Sequence, residues 1–412
     1  MKKGIFALLT IAAVTTVCWL VPVIGSQTPF AYSLARLAGS LSLTGFVCSF
    51  IISTRNRALD SLFNGLDKAY VVHKWTGIVS VALAAAHPTI LITARITLGA
   101  DTLIRWTWGI PGLALFVTLI VTALIAKKMN YETWKIIHKF MILPYAIGVY
   151  HYYIAYRTPF ALSAFNVWMH LLNLIGILSA VYIVFIYERT AYPFKYRIIS
   201  VKTVANKTCE ITGEAIGKHI RYRAGQFVFL KFLKGDAKFT SHPFTISKAP
   251  QNNTIRFTIK SLGDHTEKLM ETVKTGDVFV TSASHGRFDY MTGGKHQIWI
   301  AGGIGITPLK SFCQSDIPED FSIDFFYAYN GDEGVYLHEL KALNKPNLLV
   351  YLIDSQKEGY LTVEKILETI QIKGTPDVYF CGPKVMRESL RKGFENNNMI
   401  VKFHFEEFTF GR

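Results

Sequence analysis

The sequence predicts a multi-domain membrane protein: a six-helix transmembrane bundle, then an antiparallel β-barrel domain, then an α/β domain built on a parallel sheet. Three observations predict this. Six apolar stretches, each long enough to cross a hydrocarbon core, all fall before residue 190. From Tyr192 onward, short β-rich runs such as YRIISVKTV, FVFLKFL and IRFTIKS are separated by turn residues. From about Lys295, strand runs alternate with helical ones, the pattern of a parallel sheet covered by helices. The expected domains are 1–190, 191–292 and 293–412.

Composition sets the frame. The chain has 412 residues, half of them apolar, yet a net charge of +15. That mixture suits membrane helices joined to a soluble part. Basic charge beside membrane spans has a use in topology, so nucleic acid is not an expected partner, whereas membrane lipid is. Cys18, Cys48, Cys209, Cys313 and Cys381 are scattered with no C-x-x-C pair. A disulfide framework, a zinc site and an iron–sulfur site are thereby excluded. No EF-hand loop is present, which argues against calcium control.

The expected spans are Ile5–Ile24, Tyr32–Ser53, Tyr70–Ala94, Leu103–Ala126, Thr133–Tyr156 and Phe165–Tyr187. The start resembles a secretory signal peptide, but its apolar run is long for one and reads as a first membrane helix. Lys2, Lys3, Arg55, Arg57, Lys68, Lys127, Lys128 and Lys135 fall on one side of the bundle. Arg95, Arg105 and Arg157 fall on the other. The positive-inside rule then places the N-terminus and the soluble part in the cytoplasm of a multi-pass plasma-membrane protein. The outward loops are short, and no regulatory subunit is evident.

Four histidines lie within these spans. His73 and His87 are fourteen residues apart, His138 and His151 thirteen. At ~1.5 Å per residue each pair is separated by about 20 Å, inside a core of roughly 30 Å. Both spans run in the same direction, so His73 should pair with His138 and His87 with His151. Imidazole is a common haem ligand, and without C-x-x-C-H any haem is b-type. Two b-type haems stacked across the membrane are the expected metal centres. On an ideal helix His73 and His87 lie about 40° apart, but His138 and His151 about 140°. Pro144 between the latter two can kink the helix and shift its phase. His170 has no partner at matching spacing and reads as structural. Arg36 and Lys74 fit either haem propionates or interfacial cations.

Three segments of the soluble half suit bound cofactors. Ser241 precedes His242-Pro243-Phe244-Thr245 at a strand end, where an aromatic and a hydroxyl could meet a flavin. Lys260-Ser261-Leu262-Gly263-Asp264-His265-Thr266 leads into a helix, whose first N–H groups could approach a pyrophosphate. Gly302-Gly303-Ile304-Gly305-Ile306-Thr307-Pro308 follows the strand QIWI and suits a dinucleotide phosphate, as G-x-G-x-x-P rather than G-x-G-x-x-G.

These motifs, in this order and followed by Cys381-Gly382-Pro383, resemble the ferredoxin–NADP reductase superfamily. Joined to the paired histidines, the chain from about Tyr32 to Arg412 resembles the NADPH oxidase and ferric reductase family. The resemblance implies that His242, Pro243, Phe244 and Thr245 contact FAD, and that Gly263 and Thr266 hold its pyrophosphate. Gly303, Gly305, Thr307 and Pro308 match the nicotinamide dinucleotide loop, and Cys381, Gly382 and Pro383 the segment near the nicotinamide. A C-terminal aromatic that stacks on the flavin is implied as Phe408 or Phe410. His285-Gly286-Arg287-Phe288 departs from the family turn and is left unassigned. Gly331-Asp332-Glu333 places acid where arginine would read a 2′-phosphate, so NADPH and NADH both stay open as donor. The implied activity is electron transfer from cytoplasmic NAD(P)H through FAD and two haems to dioxygen outside, giving superoxide. The alternative is ferric or cupric reduction over the same path.

Overall fold

A computed structural model describes residues 1–24, 26–94, 102–125, 129, 131–155, 159–234, 237–238, 240–251, 253–372 and 374–406. The expected C-terminal aromatics Phe408 and Phe410 lie outside these residues. The chain forms two compact units that meet in sequence at Thr190 and Ala191.

The first unit is helical. Its helices are α1 (Lys2–Val23), α2 (Phe30–Ser53), α3 (Arg57–Phe63), α4 (Leu66–Thr93), α5 (Thr102–Leu124), α6 (Tyr131–Lys139), α7 (Ile142–Ala155), α8 (Ala164–Val181) and α9 (Tyr187–Thr190). Among the described residues five helices are long and apolar enough to cross a membrane. The expected fifth span, Thr133–Tyr156, is instead two helices, α6 and α7, broken at Phe140–Met141. The cause is Pro144, which has no N–H for the Phe140 carbonyl and whose ring would press on it. That carbonyl accepts from Leu143 N instead, at 2.9 Å.

Helix α2 is the most enclosed of the spans. Its buried positions include Ala35, Ala38, Ser40, Ser42, Thr44 and Ser49, small side chains that let neighbouring backbones come close. A Cβ on Gly45 would meet Ser80 Oγ of α4 at 2.1 Å. Ser42 Oγ donates to the Ser80 carbonyl at 2.7 Å. Large apolar side chains such as Phe6, Val21, Trp75 and Leu178 face outward, as lipid-facing positions would.

The second unit opens with an antiparallel sheet. Its strands are β1 (Phe194–Ala205), β2 (Thr208–Ala215), β3 (Phe227–Lys234), β4 (Ala237–Lys238), β5 (His242–Thr245), β6 (Thr254–Lys260) and β7 (Val278–Thr281), with α10 (Asp264–Thr272) between the last two. The order is β4-β3-β7-β1-β2-β6, and β5 pairs with β3. The expected barrel is seen as this one sheet, with a single bridge, Ile246 to Phe257, leading from the end of β5 to β6. Ile211, Val228, Leu230, Ile255, Phe257 and Phe279 fill its core.

The parallel sheet follows as β8 (His296–Gly302), β9 (Ser322–Tyr329), β10 (Leu348–Asp354), β11 (Asp377–Cys381) and β12 (Lys402–Phe405), in the order β10-β9-β8-β11-β12. The helices between are α11 (Ile306–Cys313), α12 (Leu337–Lys341), α13 (Ser355–Glu358), α14 (Val363–Thr369) and α15 (Lys384–Asn396). The strand order reverses beside β8. Ligands of open α/β sheets bind at such a switch point, off the carboxyl ends of the strands.

Candidate functional site

The four membrane histidines form two pairs. His73 and His138 have ring centroids 6.0 Å apart, and His87 and His151 6.3 Å apart. The ring planes cross at 75° and 71° respectively. Helix α2 orients both histidines of α4. His73 Nδ1 lies 3.1 Å from the Ser49 carbonyl, and His87 Nδ1 2.7 Å from the Ala35 carbonyl. A carbonyl can only accept, so each Nδ1 carries the proton and each Nε2 keeps its lone pair for a ligand. Ala35 and Ser49 are fourteen residues apart, the same interval as His73 and His87. Ser42 and Ser80 meet midway, so α2 and α4 hold one antiparallel register over this length.

The pairs suit a metal that brings its own equatorial ligands. Two imidazoles sharing one ion need about 2 Å from metal to each nitrogen, which puts ring centres roughly 6.3 Å apart. Among the described residues no group of three or more His, Cys, Asp or Glu side chains gathers to hold a bare ion. Flat space is kept beside the outer rings: a Cβ on Gly39 would touch His87 at 3.4 Å, and one on Gly109 would touch His151 at 3.0 Å. A cavity lined by His87, His151, Trp108 and Phe116 lies here, and Arg36 and Tyr32 line it too. A haem fits this donor set. The backbone bonds to Nδ1 are an arrangement common to metal-binding histidines.

The inner pair has a different setting. The His138 ring stacks on Trp134, with centroids 5.1 Å apart. Lys74, the sequence candidate for a propionate partner, is exposed. Arg55 instead lies over the rings of Tyr70 and Tyr187 at 5.7 and 5.1 Å, and Tyr70 packs edge-on to His73. The expected structural role of His170 has a concrete form. Its Nδ1 accepts from Tyr153 Oη and its Nε2 donates to the Pro159 carbonyl, both at 2.8 Å.

In the second unit the two flavin segments converge. His242 opens β5, and its ring stacks on that of His265 with centroids 3.7 Å apart. Pro243 and Phe244 pair in register with Phe229 and Val228, and Thr245 is buried. Gly263 caps α10. Thr266 Oγ1 accepts from Leu262 N and donates to the Gly263 carbonyl, both at 2.9 Å. The space where a Gly263 Cβ would stand is open. Burial, with His242 and Lys268 nearby, pushes the His265 imidazole down to about 3.

The nucleotide segments also converge. Gly303 sits at φ +55° with open space beside it, a conformation glycine adopts without strain. A Cβ on Gly305 would strike the Cys381 carbonyl oxygen at 2.1 Å and Gly382 N at 2.9 Å. A Cβ on Gly302 would meet Met386 Sδ at 2.8 Å and Pro383 Cδ at 2.9 Å. The glycine turn after β8 therefore lies directly on Cys381-Gly382-Pro383 after β11, across the switch point. Thr307 Oγ1 donates to the Ile304 carbonyl, and Pro308 is buried in α11. Burial raises the Cys381 thiol well above its usual range, and the Glu406 carboxylate adds to this. Glu406 was not singled out from sequence. It packs at Gly286, whose φ is +96°.

The arrangement defines a class: a membrane-embedded flavin- and nicotinamide-linked oxidoreductase. Three family models match in succession: ferric reductase like transmembrane component over 38–149, FAD-binding domain over 193–294, and oxidoreductase NAD-binding domain over 299–392. The chain belongs to the NADPH oxidase and ferric reductase family, in which such a membrane component is fused to FAD- and NAD-binding domains. It is 24% identical over 219 residues to the electron transfer subunit of dihydroorotate dehydrogenase B (NAD(+)) from Caldanaerobacter subterraneus, covering 52% of this chain and 83% of that one. It is 25% identical over 204 residues to respiratory burst oxidase homolog protein D of Arabidopsis thaliana, covering 48% of this chain and 19% of that one. Dual oxidase 2 of Rattus norvegicus is 33% identical over 105 residues, covering 23% and 7%. Among solved structures, the FAD/NAD binding domain of nitric oxide dioxygenase from Vibrio cholerae gives a TM-score of 0.44 at 16% identity, covering 52% of this chain and 99% of that one. Apart from the dihydroorotate dehydrogenase subunit, the chain spans less than two thirds of each of the curated relatives that come first in similarity.

Proposed function

We propose that this protein carries electrons across the plasma membrane from cytoplasmic NADPH or NADH to dioxygen on the outer face, releasing superoxide. The observation that carries the reading is the double pairing of His73 with His138 and His87 with His151, in one chain with converging flavin and dinucleotide turns. When bound, FAD would supply hydride acceptance from the nicotinamide, and two b-type haems would supply one-electron transfer.

The chain's own residues hold and orient. Ser49 and Ala35 fix the tautomers of His73 and His87, leaving Nε2 of each to ligate. His138 and His151 would supply one further ligand to each site. Gly39 and Gly109 keep side chains out of the outer site, and Arg36 offers a positive charge to propionates there. His242 to Thr245 would hold the flavin, and Gly263 and Thr266 its pyrophosphate. Gly303, Gly305, Thr307 and Pro308 would hold the dinucleotide, and Cys381-Gly382-Pro383 its nicotinamide end. No acid or base is required of the protein, since the cofactors supply the chemistry. In this reading the N-terminus and the second unit face the cytoplasm.

The match to a ferric reductase like component favours a second reading, with ferric or cupric ion as acceptor. One experiment separates the two. The purified protein is given NADPH or NADH in air, and cytochrome c reduction is followed with and without superoxide dismutase while the haem spectrum is recorded. Dismutase-sensitive reduction supports the oxidase. Reduced haem with little superoxide moves the assignment to a metal acceptor, and absence of a haem spectrum overturns both.

A further inference from the structure

The turn after β9 is where a nucleotide-binding sheet reads the adenosine ribose, and its acids, Asp332 and Glu333, invite that reading. The structure gives both carboxylates other work. Asp332 Oδ2 accepts from Asn206 Nδ2 at 3.1 Å, and its carbonyl accepts from Asn206 N at 3.3 Å. Glu333 Oε2 accepts from Lys260 Nζ at 2.7 Å. Asn206 lies in the β1–β2 turn, and Lys260 ends β6, three residues before Gly263. Both anchors belong to the antiparallel-sheet lobe.

Tyr336, three residues further on, completes the set. It is buried at φ +61°, a left-handed conformation that strains a tyrosine and persists only where neighbours enforce it. Its hydroxyl donates to Glu210 Oε2 of β2 at 2.6 Å and meets Thr258 Oγ1 of β6 at 2.5 Å. Its ring carries the Lys310 ammonium at 4.8 Å, on the helix that the dinucleotide turn opens. Val335 N donates to Tyr327 Oη at 3.0 Å, tying the segment back to its own sheet. One short stretch thus joins α11, which carries the nucleotide turn, to β2 and β6, the latter leading into the flavin turn.

We propose that residues 331–336 form an interlobe clasp that sets the nicotinamide lobe against the flavin lobe, and that Asp332 and Glu333 are positioning residues of this clasp rather than readers of the ribose. The proposal rests on the oxidoreductase reading above. Hydride transfer is steep in donor–acceptor distance, so a small slip between lobes costs rate without changing what either lobe binds.

The test uses the full-length protein in detergent with FAD bound. Flavin bleaching is followed anaerobically in single turnovers with NADH and with NADPH. Asp332→Ala, Asn206→Ala and the double variant break one tie from either side. The clasp requires both single variants to slow bleaching at saturating nucleotide by about the same factor, up to roughly tenfold. The double variant should be no slower than either single, because the two residues act as one pair. FAD content and the NADPH-to-NADH ratio should stay at the native values. Tyr336→Phe should slow bleaching further. A ratio that shifts in Asp332→Ala but not in Asn206→Ala would overturn the clasp and restore ribose reading. So would native bleaching rates in all the variants. Failure of the native protein to bleach with either nucleotide would remove the oxidoreductase reading and the clasp with it.

Discussion

His87 on α4 and His151 on α7 face each other with ring centroids 6.3 Å apart and planes crossed at 71°. The crossing angle has a spectroscopic consequence. Near-perpendicular imidazoles leave two d orbitals of a shared iron almost degenerate, so a haem held by this pair should, when oxidised, give a strongly anisotropic low-spin EPR signal with one very high g value. The inner pair, crossed at 75°, should do the same. Signals typical of parallel imidazoles would mean that the rings reorient or that other ligands are used. His87→Ala should remove the outer haem and abolish reduction of the external acceptor, while NAD(P)H-driven reduction of a soluble dye at the flavin survives. Transmembrane reduction intact in that variant would show the ligand assignment to be wrong.

Pro144 is expected to be as necessary to the second histidine of each pair as the ligands themselves. A straight helix would hold His138 and His151 about 140° apart. At the α6–α7 break, Phe140, Met141 and Leu143 each donate to a carbonyl three residues back. A three-per-turn step advances ~120° rather than ~100°, so three such steps recover about 60° of the phase error. Pro144→Ala permits the uninterrupted helix and should lower haem bound per flavin, measured as pyridine haemochrome in purified protein. A native ratio in the variant would mean that tertiary packing alone sets the break.

How much of this was legible follows from what kinds of atoms carry it. The histidine pairing could be read because imidazoles at membrane depth are rare and their intervals are countable. The glycine turns could be read because only certain residues permit their backbone. What orients His73 and His87 could not, since Ala35 and Ser49 act through carbonyls that every residue has. Pro144 announced a disturbance, but whether it would bend the fifth span or divide it depended on where the Phe140 carbonyl found a new donor. Asp332 and Glu333 were visible as acid, and their partners Asn206 and Lys260 lie far off in sequence. The closeness of Gly305 to Cys381 likewise depends on β8 and β11 being neighbours, which no local pattern states.

The two glycines of the dinucleotide turn should respond differently to a methyl group. Gly303→Ala meets open space but must hold φ near +55°, so it should cost about 1–2 kcal/mol of stability and raise the KM for NAD(P)H modestly. Gly305→Ala drives a Cβ into the Cys381 carbonyl and Gly382 N, where backbone cannot yield easily. It should cost roughly 1–3 kcal/mol and raise the KM by tenfold or more, because both nucleotide segments separate. Thermal unfolding together with steady-state dye reduction checks both. Equal KM values in the two variants would mean that the turn and the Cys381 segment do not act together on the nucleotide.

His265 carries a pH dependence of definite sign. Its imidazole is pushed down to about 3 by burial, His242 and Lys268, against ~6.5 for a free histidine. Above about pH 6.5 neither the folded nor the unfolded chain protonates this ring, so it contributes no slope. Between that pH and about 3 the unfolded chain binds a proton that the folded one refuses, and stability falls as the pH falls. At pH 5 the full effect would be about 2 kcal/mol. The ring is only half-buried, and solvent screening reduces this to about 1 kcal/mol. His265→Phe keeps a ring stacked on His242 and removes the proton-binding site. Thermal unfolding of the full-length protein at pH 7 and pH 5 should show a smaller drop in Tm for the variant than for the native chain. If the two drops are equal, the acid limb of stability originates elsewhere and the stacked pair is indifferent to protonation.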